Sequence, residues 1–138
     1  MDVDELSETF SFFDDWEDKY RFIIDLGKDL TDLDSNVKIE DNLIRGCQSQ
    51  VWLIHKVMPN GSLQFGMDSD AFIVRGLISI VLCVYNNKPP REILDFDIEA
   101  FFAQLELLSH LSQTRGNGLR AMISRIREIA ERAYLLDQ

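Results

Sequence analysis

The residue of this chain best suited to chemistry is Cys47, which lies in the segment Arg45-Gly46-Cys47-Gln48-Ser49-Gln50-Val51-Trp52. Glycine at 46 lets the backbone turn sharply or lets another molecule come close, and Gln48 and Ser49 offer hydrogen-bond donors beside the sulfur. A thiol in such a polar segment, just before a run with strand character, can reach out of the fold. The alternative is an ordinary loop-end cysteine that packs as a small hydrophobic side chain.

Other kinds of site find little support. Metal binding would need several soft or imidazole ligands, whereas the chain has two cysteines and two histidines, without CxxC or HxxxH spacing. A cysteine–histidine hydrolase with His55 or His110 as its base stays open, although neither histidine lies in a recognisable protease signature. There is no Gly-rich phosphate loop, and Asp68 and Asp70 are better explained as a helix cap than as an acid–base pair. Among the kinds of site considered, the residues favour thiol chemistry that needs no cofactor.

Length and composition predict one domain, residues 1–138. Of the 138 residues 46% are apolar, which is enough for one core without a metal or a disulfide. No stretch of about eighteen apolar residues occurs, and the N-terminus is acidic where a signal peptide would be basic. Cys47 lies in a polar segment and Cys83 in an apolar run, which is no disulfide framework. We therefore expect a cytoplasmic protein with no membrane partner, in which Cys83 serves packing.

The charge of the chain is strongly negative and unevenly distributed. The formal net charge is -10, which argues against a nucleic-acid partner because phosphate binding needs a basic surface. Residues 1–41 contain fourteen acidic and four basic side chains, whereas residues 42–138 contain ten of each. For this acidic N-terminal part, a solvated helical face is a better interpretation than a dedicated electrostatic docking surface.

Two helices are expected before the cysteine segment. Asp2 should cap a short first helix, and Asp14 a second whose apolar stripe runs to about residue 31. Gly27 lies within or near the end of the second helix, where it marks either close helix packing or the C-cap. Residues 32–42 are polar and are expected to form a loop.

A hairpin is expected directly after the cysteine segment. Apolar and polar side chains alternate from Gln50 to Met58 and again from Leu63 to Met67, with the turn chemistry of Asn60-Gly61 between them. Residues 42–45 could add a third strand. Cys47 would then lie in the connection between two strands.

Helices are expected through the rest of the chain. Asp68-Ser69-Asp70 should start a helix over residues 71–85, which is apolar almost all round and is therefore the buried core helix. Pro89 and Pro90 can open a short helix through Leu94, and Asp97 can cap the next one. Residues 113–118 should break the chain before a final amphipathic helix.

The segment around Cys47 resembles the signature of the SufE-like family, the sulfur acceptors of cysteine desulfurases in iron–sulfur cluster assembly. Further matches follow in the same order along almost the whole chain: Trp16-Glu17-Asp18-Lys19-Tyr20, Leu26-Gly27, Asp68-Ser69-Asp70-Ala71, Arg75-Gly76-Leu77, and Arg115 followed by Gly118-Leu119. The resemblance implies an α+β fold, with helices on one side of a small antiparallel sheet of about three strands. The cysteine would lie in a loop at the sheet edge.

The resemblance also implies the reaction. Cys47 would take sulfane sulfur from a SufS-like cysteine desulfurase, stimulate that enzyme, and later deliver the sulfur to an iron–sulfur scaffold. The pyridoxal phosphate belongs to the desulfurase, so the chain is an accessory protein rather than an enzyme and needs no cofactor or metal. The implied loop and partner contacts are Arg45, Gly46, Gln48, Ser49, Trp52, Asp70 and Arg115.

Several of these expectations have alternatives. Asp70 is a loop-side contact or only a helix cap, and Arg115 lies near the cysteine loop or only bonds the carbonyls of neighbouring turns. The alternative for the whole chain is a non-catalytic interaction module with a structural Cys47. We expect a monomer or a weak homodimer.

Overall fold

The computed structural model describes residues 1–136. Over that range the fold is α+β, with helices packed on a small antiparallel sheet. The elements in chain order are α1 (Val3–Ser11), α2 (Trp16–Lys28), β1 (Val51–Val57), β2 (Leu63–Ser69), α3 (Phe72–Tyr85), α4 (Pro90–Asp95), α5 (Ile98–Leu105) and α6 (Gln113–Leu136). None of the helices in the described range combines the length and the apolar character needed to cross a membrane.

The strands β1 and β2 form the predicted hairpin. They pair antiparallel in a register that sets Val51 opposite Ser69. At the turn, the Asn60 side chain accepts a hydrogen bond from the Ser62 amide at 3.0 Å, and Gly61 takes a φ of +87°. Both residues therefore contribute to the turn, Asn60 through its side chain and Gly61 through its positive φ, in a loop over residues 58–62 that is longer than a two-residue Asn-Gly turn.

The predicted third strand, Asn42–Arg45, is wrong. Within it, Leu43 makes a single antiparallel bridge to Trp52. A 3-10 turn over Glu40–Asn42 comes immediately before, and Gly46 turns the chain at a φ of +93° immediately after. The extended stretch between these two turns is too short for a further ladder, so the sheet in the described range has two strands.

The two faces of the hairpin are covered by different parts of the chain. Leu53 and Met67 lie on the face that joins the helical core. On the opposite face, Leu33 packs over Gly66, and the Lys38 ammonium lies over the Trp52 ring. The helices therefore pack on one side of the sheet, as predicted, and the segment between α2 and β1 covers the other.

The helix α3 is the core helix. Nine of its fourteen residues are buried, which confirms the interpretation of its nearly continuous apolar sequence. Cys83 is only partly buried, and its thiol donates to the Met1 carbonyl at 3.2 Å. Cys83 therefore packs at the edge of the core, beneath the N-terminus, rather than within it.

The helices α2 and α3 cross at close range because two glycines meet there. A Cβ on Gly76 would lie 2.1 Å from the Ile23 carbonyl oxygen, and one on Gly27 would lie 2.7 Å from the Gly76 nitrogen. Gly27 lies inside α2, whose C-cap is Asp29. Of the two alternatives for Gly27, close helix packing is the one observed.

The Asp68 side chain lies near the N-terminus of α3. It does not cap the helix, contrary to the prediction. It is fully buried, and its carboxylate accepts hydrogen bonds from the Leu33 and Ser69 amides at 3.1 and 2.8 Å. It also pairs with Lys38 at 3.1 Å and with Arg75. Burial alone would raise the pKa of Asp68, but these donors more than offset it and hold the pKa below its ordinary value.

Arg75 connects Asp68 to the end of α2. Its guanidinium donates to the Gly27 and Leu30 carbonyls at 3.3 and 2.8 Å, and it pairs with Asp32 at 2.9 Å. The Gly27 carbonyl also accepts from the Leu30 amide at 3.3 Å, so Arg75 adds to the hydrogen bonds that close the end of α2. The Asp68–Arg75 pair thus joins α2, α3, β2 and the segment before β1.

The other predicted caps are mostly confirmed. Asp2 accepts from the Glu5 amide at the start of α1, and Asp97 caps α5. The cap of α2 is Asp15 rather than Asp14, a shift of one residue. The short helix α4 begins at Pro90 as expected.

The predicted break over residues 113–118 is wrong. The helix α6 already begins at Gln113, so Arg115 and Gly118 lie in its first turns. The Ser112 hydroxyl accepts from the Arg115 amide at 3.2 Å, as an N-cap side chain does. This cap outweighs the low helix propensity of the glycines that follow.

The glycine crossing gives the first prediction. Gly76→Ala should lower the free energy of unfolding by about 3 kcal/mol, because the added methyl meets backbone rather than a flexible side chain. Gly116→Ala in α6 is the matched control, since its nearest neighbour would be a Leu108 methyl at 3.8 Å. That variant should be stabilised by up to about 1 kcal/mol through helix propensity. Urea unfolding measures both, and equal midpoints would contradict the packing argument.

The buried carboxylate of Asp68 gives the second prediction. Asp68→Asn keeps the size but leaves Arg75 and Lys38 without their counter-charge, so the free energy of unfolding should fall by about 3 kcal/mol at neutral pH. Because the folded pKa of Asp68 lies below its unfolded value of about 3.9, wild type loses this stabilisation as the pH falls below about 4. Urea unfolding should show that the difference in free energy of unfolding between wild type and Asp68→Asn is smaller below about pH 4 than at neutral pH. A gap independent of pH would contradict the assignment.

Candidate functional site

The Cys47 loop runs between the Leu43 bridge and β1, and hydrogen bonds to the end of β2 hold it. The Asp70 carboxylate accepts from the Gln50 amide at 3.1 Å, and the Asp70 amide donates to the Gln50 carbonyl at 3.4 Å. The helix α3 has no side-chain cap at its N-cap residue, Ala71. Of the two alternatives for Asp70, the loop contact is present and the cap is not.

The Cys47 thiol faces the first turns of α6. It is partly buried, and its Sγ donates to the Gly118 carbonyl at 3.5 Å. A Cβ on Gly118 would lie 3.6 Å from that sulfur, an ordinary contact distance, which shows that the loop lies directly against the helix. Burial raises the pKa of the Cys47 thiol above its ordinary value. In this position the thiol is largely protonated at neutral pH and is a weak nucleophile.

A small cavity lies beside the sulfur, between the loop, α3 and α6. Its volume is about 100 Å³, well above the ~15 Å³ that a water-sized atom requires. Its wall is mixed: β1, α3 and α6 contribute apolar side chains, and the cysteine loop and the start of α6 contribute polar ones. It is lined by Cys47, Gln48, Ser49, Val51, Val74, Leu77, Thr114, Arg115, Gly118, Leu119 and Met122. The cavity can accept one more heavy atom on the sulfur.

The loop residues named from the sequence lie around this cavity. Gln48 and Ser49 line it, whereas Arg45 and Gly46 do not and line a neighbouring surface cavity instead. The positive φ of Gly46 produces the turn that brings Cys47 to α6, and an added Cβ there would lie 3.3 Å from the Ala121 methyl.

Arg115 and Trp52, which were also named from the sequence, differ in their position relative to the cavity. Arg115 is exposed and lines the cavity, so it lies beside the loop as the resemblance implied. Trp52 is buried on the opposite face of the sheet, where the Lys38 ammonium lies 5.5 Å from its ring centroid. The structure therefore places Trp52 in the packing of the sheet, away from the cavity wall.

Neither histidine is placed to activate the thiol. The His110 ring stacks on Trp16 with centroids 4.6 Å apart, and His55 is exposed on β1. Neither is among the residues that line the cavity, and neither bonds to the Cys47 sulfur. The hydrolase alternative therefore lacks its base near the thiol. Within residues 1–136, no group of three or more potential ligand side chains is arranged for a metal ion.

Sequence reasoning named Arg115 but missed the other residues that α6 contributes to the site. Thr114, Gly118 and Met122 line the cavity, and the Gly118 carbonyl is the acceptor for the thiol. The signal was present in the spacing of these three residues, each four positions after the last, which puts them on one helix face. The predicted break at 113–118 concealed it.

Comparison with known proteins identifies relatives along almost the whole chain. A family model described as "SufE: Fe-S metabolism associated domain" matches residues 4–130. The chain is 45% identical over 132 residues to an uncharacterized SufE-like protein of Rhizobium etli, which covers 94% of this chain and 89% of the relative. It is 42% identical over 132 residues to an uncharacterized SufE-like protein of Rhizobium meliloti, covering 94% of each.

A solved structure shares the fold. It is the solution structure of a hypothetical protein from Thermus thermophilus, with a TM-score of 0.76 and 96% of each chain covered. Its sequence identity of 16% makes this a likeness of fold alone. The family match and the two bacterial relatives establish descent as well as fold: the chain belongs to the SufE family, whose domain is associated with iron–sulfur metabolism.

Proposed function

We propose that this protein is a sulfur carrier, in which Cys47 accepts sulfane sulfur from a cysteine desulfurase and passes it to an iron–sulfur scaffold. The observation that carries the proposal is the partly buried thiol, on a tethered loop, beside a cavity that can accept one more atom. Membership of the SufE family supports a role in iron–sulfur metabolism and a desulfurase partner. The cytoplasm, which is reducing, would keep both thiols free.

The transfer exchanges one sulfur–sulfur bond for another. The Cys47 thiol loses its proton, and the thiolate attacks the outer sulfur of the persulfide on the desulfurase cysteine. The sulfur–sulfur bond of the desulfurase breaks, and its cysteine leaves as a thiolate that takes up a proton. Cys47 then carries the persulfide. No net oxidation or reduction takes place, so the carrier needs no cofactor, and removal of the sulfur frees the desulfurase for its next turnover.

The proposed transfer requires the loop to move. A buried, protonated Cys47 is a poor nucleophile, whereas displacement into solvent would return its pKa toward the ordinary value. The loop is held by the two hydrogen bonds between Gln50 and Asp70 and by the thiol contact to Gly118. Each such bond contributes about 1 kcal/mol, so a docked partner can open the loop.

The closed loop would then protect the loaded sulfur. A persulfide is lost readily to reductants and oxidants, so a carrier gains from shielding it between transfers. The outer sulfur would lie in the cavity, against apolar side chains such as Val74, Leu77 and Met122. In this account the two positions of the loop correspond to storage and to transfer.

The loop tether gives the third prediction. Asp70→Ala removes the acceptor for the Gln50 amide, so the loop should open more often and Cys47 should react with iodoacetamide about fivefold faster, the equivalent of about 1 kcal/mol. Asp97→Ala is the matched control, because Asp97 accepts the Ala100 amide at 3.0 Å, at α5. It should lose similar stability without changing the rate of alkylation. Equal rates in all three proteins would show that Asp70 does not restrain the loop.

The two thiols give the fourth prediction. Cys47→Ser replaces a soft nucleophile by a hydroxyl that is not ionised at neutral pH, so acceptance of sulfur and stimulation of the desulfurase should disappear while the melting temperature barely changes. Cys83→Ser should keep both activities. Because Cys83 is only partly buried and already donates to the Met1 carbonyl, a hydroxyl can keep that bond, and the stability loss should stay below about 1 kcal/mol.

Labelled sulfur supplied as cysteine, a purified desulfurase and thermal melts test this pair of variants. Label retained on Cys47→Ser, or lost from a folded Cys83→Ser, would overturn the assignment. If neither wild type nor Cys83→Ser accepts label but both bind a desulfurase, the interaction-module alternative with a structural Cys47 would stand instead.

A further inference from the structure

One hydroxyl on the cavity wall has no partner in the protein. Thr114, in the first turn of α6, is exposed and lines the Cys47 cavity, and its hydroxyl makes no hydrogen bond to any residue within 1–136. By contrast, the hydroxyls of Thr9 and Ser79 donate to carbonyls four residues earlier in their helices, at 2.8 and 3.2 Å. Thr114 has no such carbonyl within α6, because the residue four positions before it, His110, precedes the helix. The hydroxyl is therefore available to a group in the cavity.

The Cys47 sulfur changes its hydrogen bonding when it carries a second sulfur. The empty thiol donates to the Gly118 carbonyl at 3.5 Å. In a persulfide, Sγ is bonded to the outer sulfur and has no proton, so this hydrogen bond is lost. The outer S–H is more acidic than a thiol, so the loaded site holds an anion where the empty site holds a neutral group. An anion in a partly apolar cavity is stable only if hydrogen-bond donors replace the water that it has lost.

Thr114 is placed to be such a donor. It lies four residues before Gly118, on the same face of α6 and about 6 Å away along the helix axis. The Cys47 sulfur touches the helix at Gly118, and the outer sulfur would lie about 2 Å from Sγ, in the cavity that all three residues line. An outer sulfur directed toward the start of α6 comes within hydrogen-bond reach of the Thr114 hydroxyl.

The other polar residues of the cavity differ from Thr114 in what they can do. Gln48 and Ser49 belong to the loop, so they would move with Cys47 when the loop opens. Arg115 is the only charged residue that lines the cavity within the described range, and it would act through its charge, which salt screens. Thr114 is a neutral donor that stays on the helix wall. It can therefore distinguish the closed loop from the open one.

We propose that the Thr114 hydroxyl binds the stored sulfur, by donating a hydrogen bond to the anionic outer sulfur of the Cys47 persulfide while the loop is closed. This inference rests on the proposed function, because the acceptor exists only after a sulfur has been loaded. The bond keeps the outer sulfur anionic during storage. An anionic sulfur repels an attacking thiolate, so the same bond slows the loss of the sulfur to reductants.

The experiment titrates the loaded sulfur directly. Cys47 is loaded with glutathione persulfide, a small donor, and the near-ultraviolet absorbance of the persulfide anion is followed against pH. Thr114→Val keeps the size but removes the hydroxyl, so the midpoint of the titration should rise by about half a pH unit, or about threefold in proton affinity. Thr114→Ala should shift the midpoint equally, whereas Thr114→Ser keeps a hydroxyl and should titrate as wild type does.

Two controls separate the hydrogen bond from a structural effect. Thr9→Val makes the same substitution in α1, where the hydroxyl donates to the Glu5 carbonyl, and should leave the midpoint unchanged. The empty Cys47 thiol should react with iodoacetamide at the wild-type rate in Thr114→Val, since it is bonded to Gly118 and not to Thr114. A faster reaction of the empty thiol would mean that the substitution loosens the loop, which would contradict the proposed role.

Loss of the loaded sulfur to dithiothreitol gives a second readout. A thiolate of the reagent attacks the outer sulfur, Cys47 leaves as a thiolate and takes up a proton, and the second thiol of the reagent then releases hydrogen sulfide as the cyclic disulfide forms. This loss should be faster from Thr114→Val than from wild type at neutral pH. Because a hydrogen bond from a neutral hydroxyl is little screened by salt, the difference should persist at high ionic strength.

The outcomes separate this proposal from the proposed function. If wild type is loaded and Thr114→Val titrates at the wild-type midpoint, the role of Thr114 is overturned and the carrier function stands. A midpoint that rises in Thr114→Ser as much as in Thr114→Val would also overturn it, because the hydroxyl would then not be the cause. Wild type that is loaded neither by glutathione persulfide nor by a desulfurase with cysteine would overturn both.

Discussion

The buried pair of Asp68 and Arg75 is the interaction on which the rest of the structure depends. It joins the end of β2 and the first turns of α3 to the end of α2, and Lys38 draws in the segment that covers the outer face of the sheet. A buried carboxylate is tolerated only when its donors are in place. The pair therefore fixes several elements at once, and with them the end of β2 from which Asp70 holds the cysteine loop.

The sulfur-carrier function proposed for this site sets two requirements that oppose each other. A sulfur carrier must protect a labile sulfur, which favours burial, and it must expose a reactive thiolate, which burial disfavours. In the proposed function, a wall of packed helices and a loop held by few hydrogen bonds would meet both requirements. The wall is built from α3 and α6, whereas the loop is attached by the Gln50–Asp70 hydrogen bonds and the Cys47 thiol contact. Opening of the loop, as proposed, would need little energy because few hydrogen bonds would break.

The sequence was informative wherever a local pattern decides the structure. The hairpin turn at Asn60-Gly61, the apolar run of α3 and the polar cysteine segment could all be predicted. Prediction from the sequence failed where a contact with a residue far away in the sequence determines the local structure. Asp68 resembled a helix cap because its main partners, Leu33 and Lys38, lie about thirty residues away in sequence and were assigned to a loop. The start of α6 was missed because glycine propensity was weighed without the Ser112 cap, and that concealed the wall facing Cys47.

In the proposed function, one sulfur atom is transferred to Cys47 and to no other residue. Mass spectrometry of the protein after incubation with a cysteine desulfurase and cysteine, followed by digestion under non-reducing conditions, measures this directly. The account predicts the mass of one added sulfur on the peptide that contains Cys47, removed by a reductant, with no addition on the peptide that contains Cys83. Added sulfur on the Cys83 peptide, or none on either in a protein that binds the desulfurase, would contradict it.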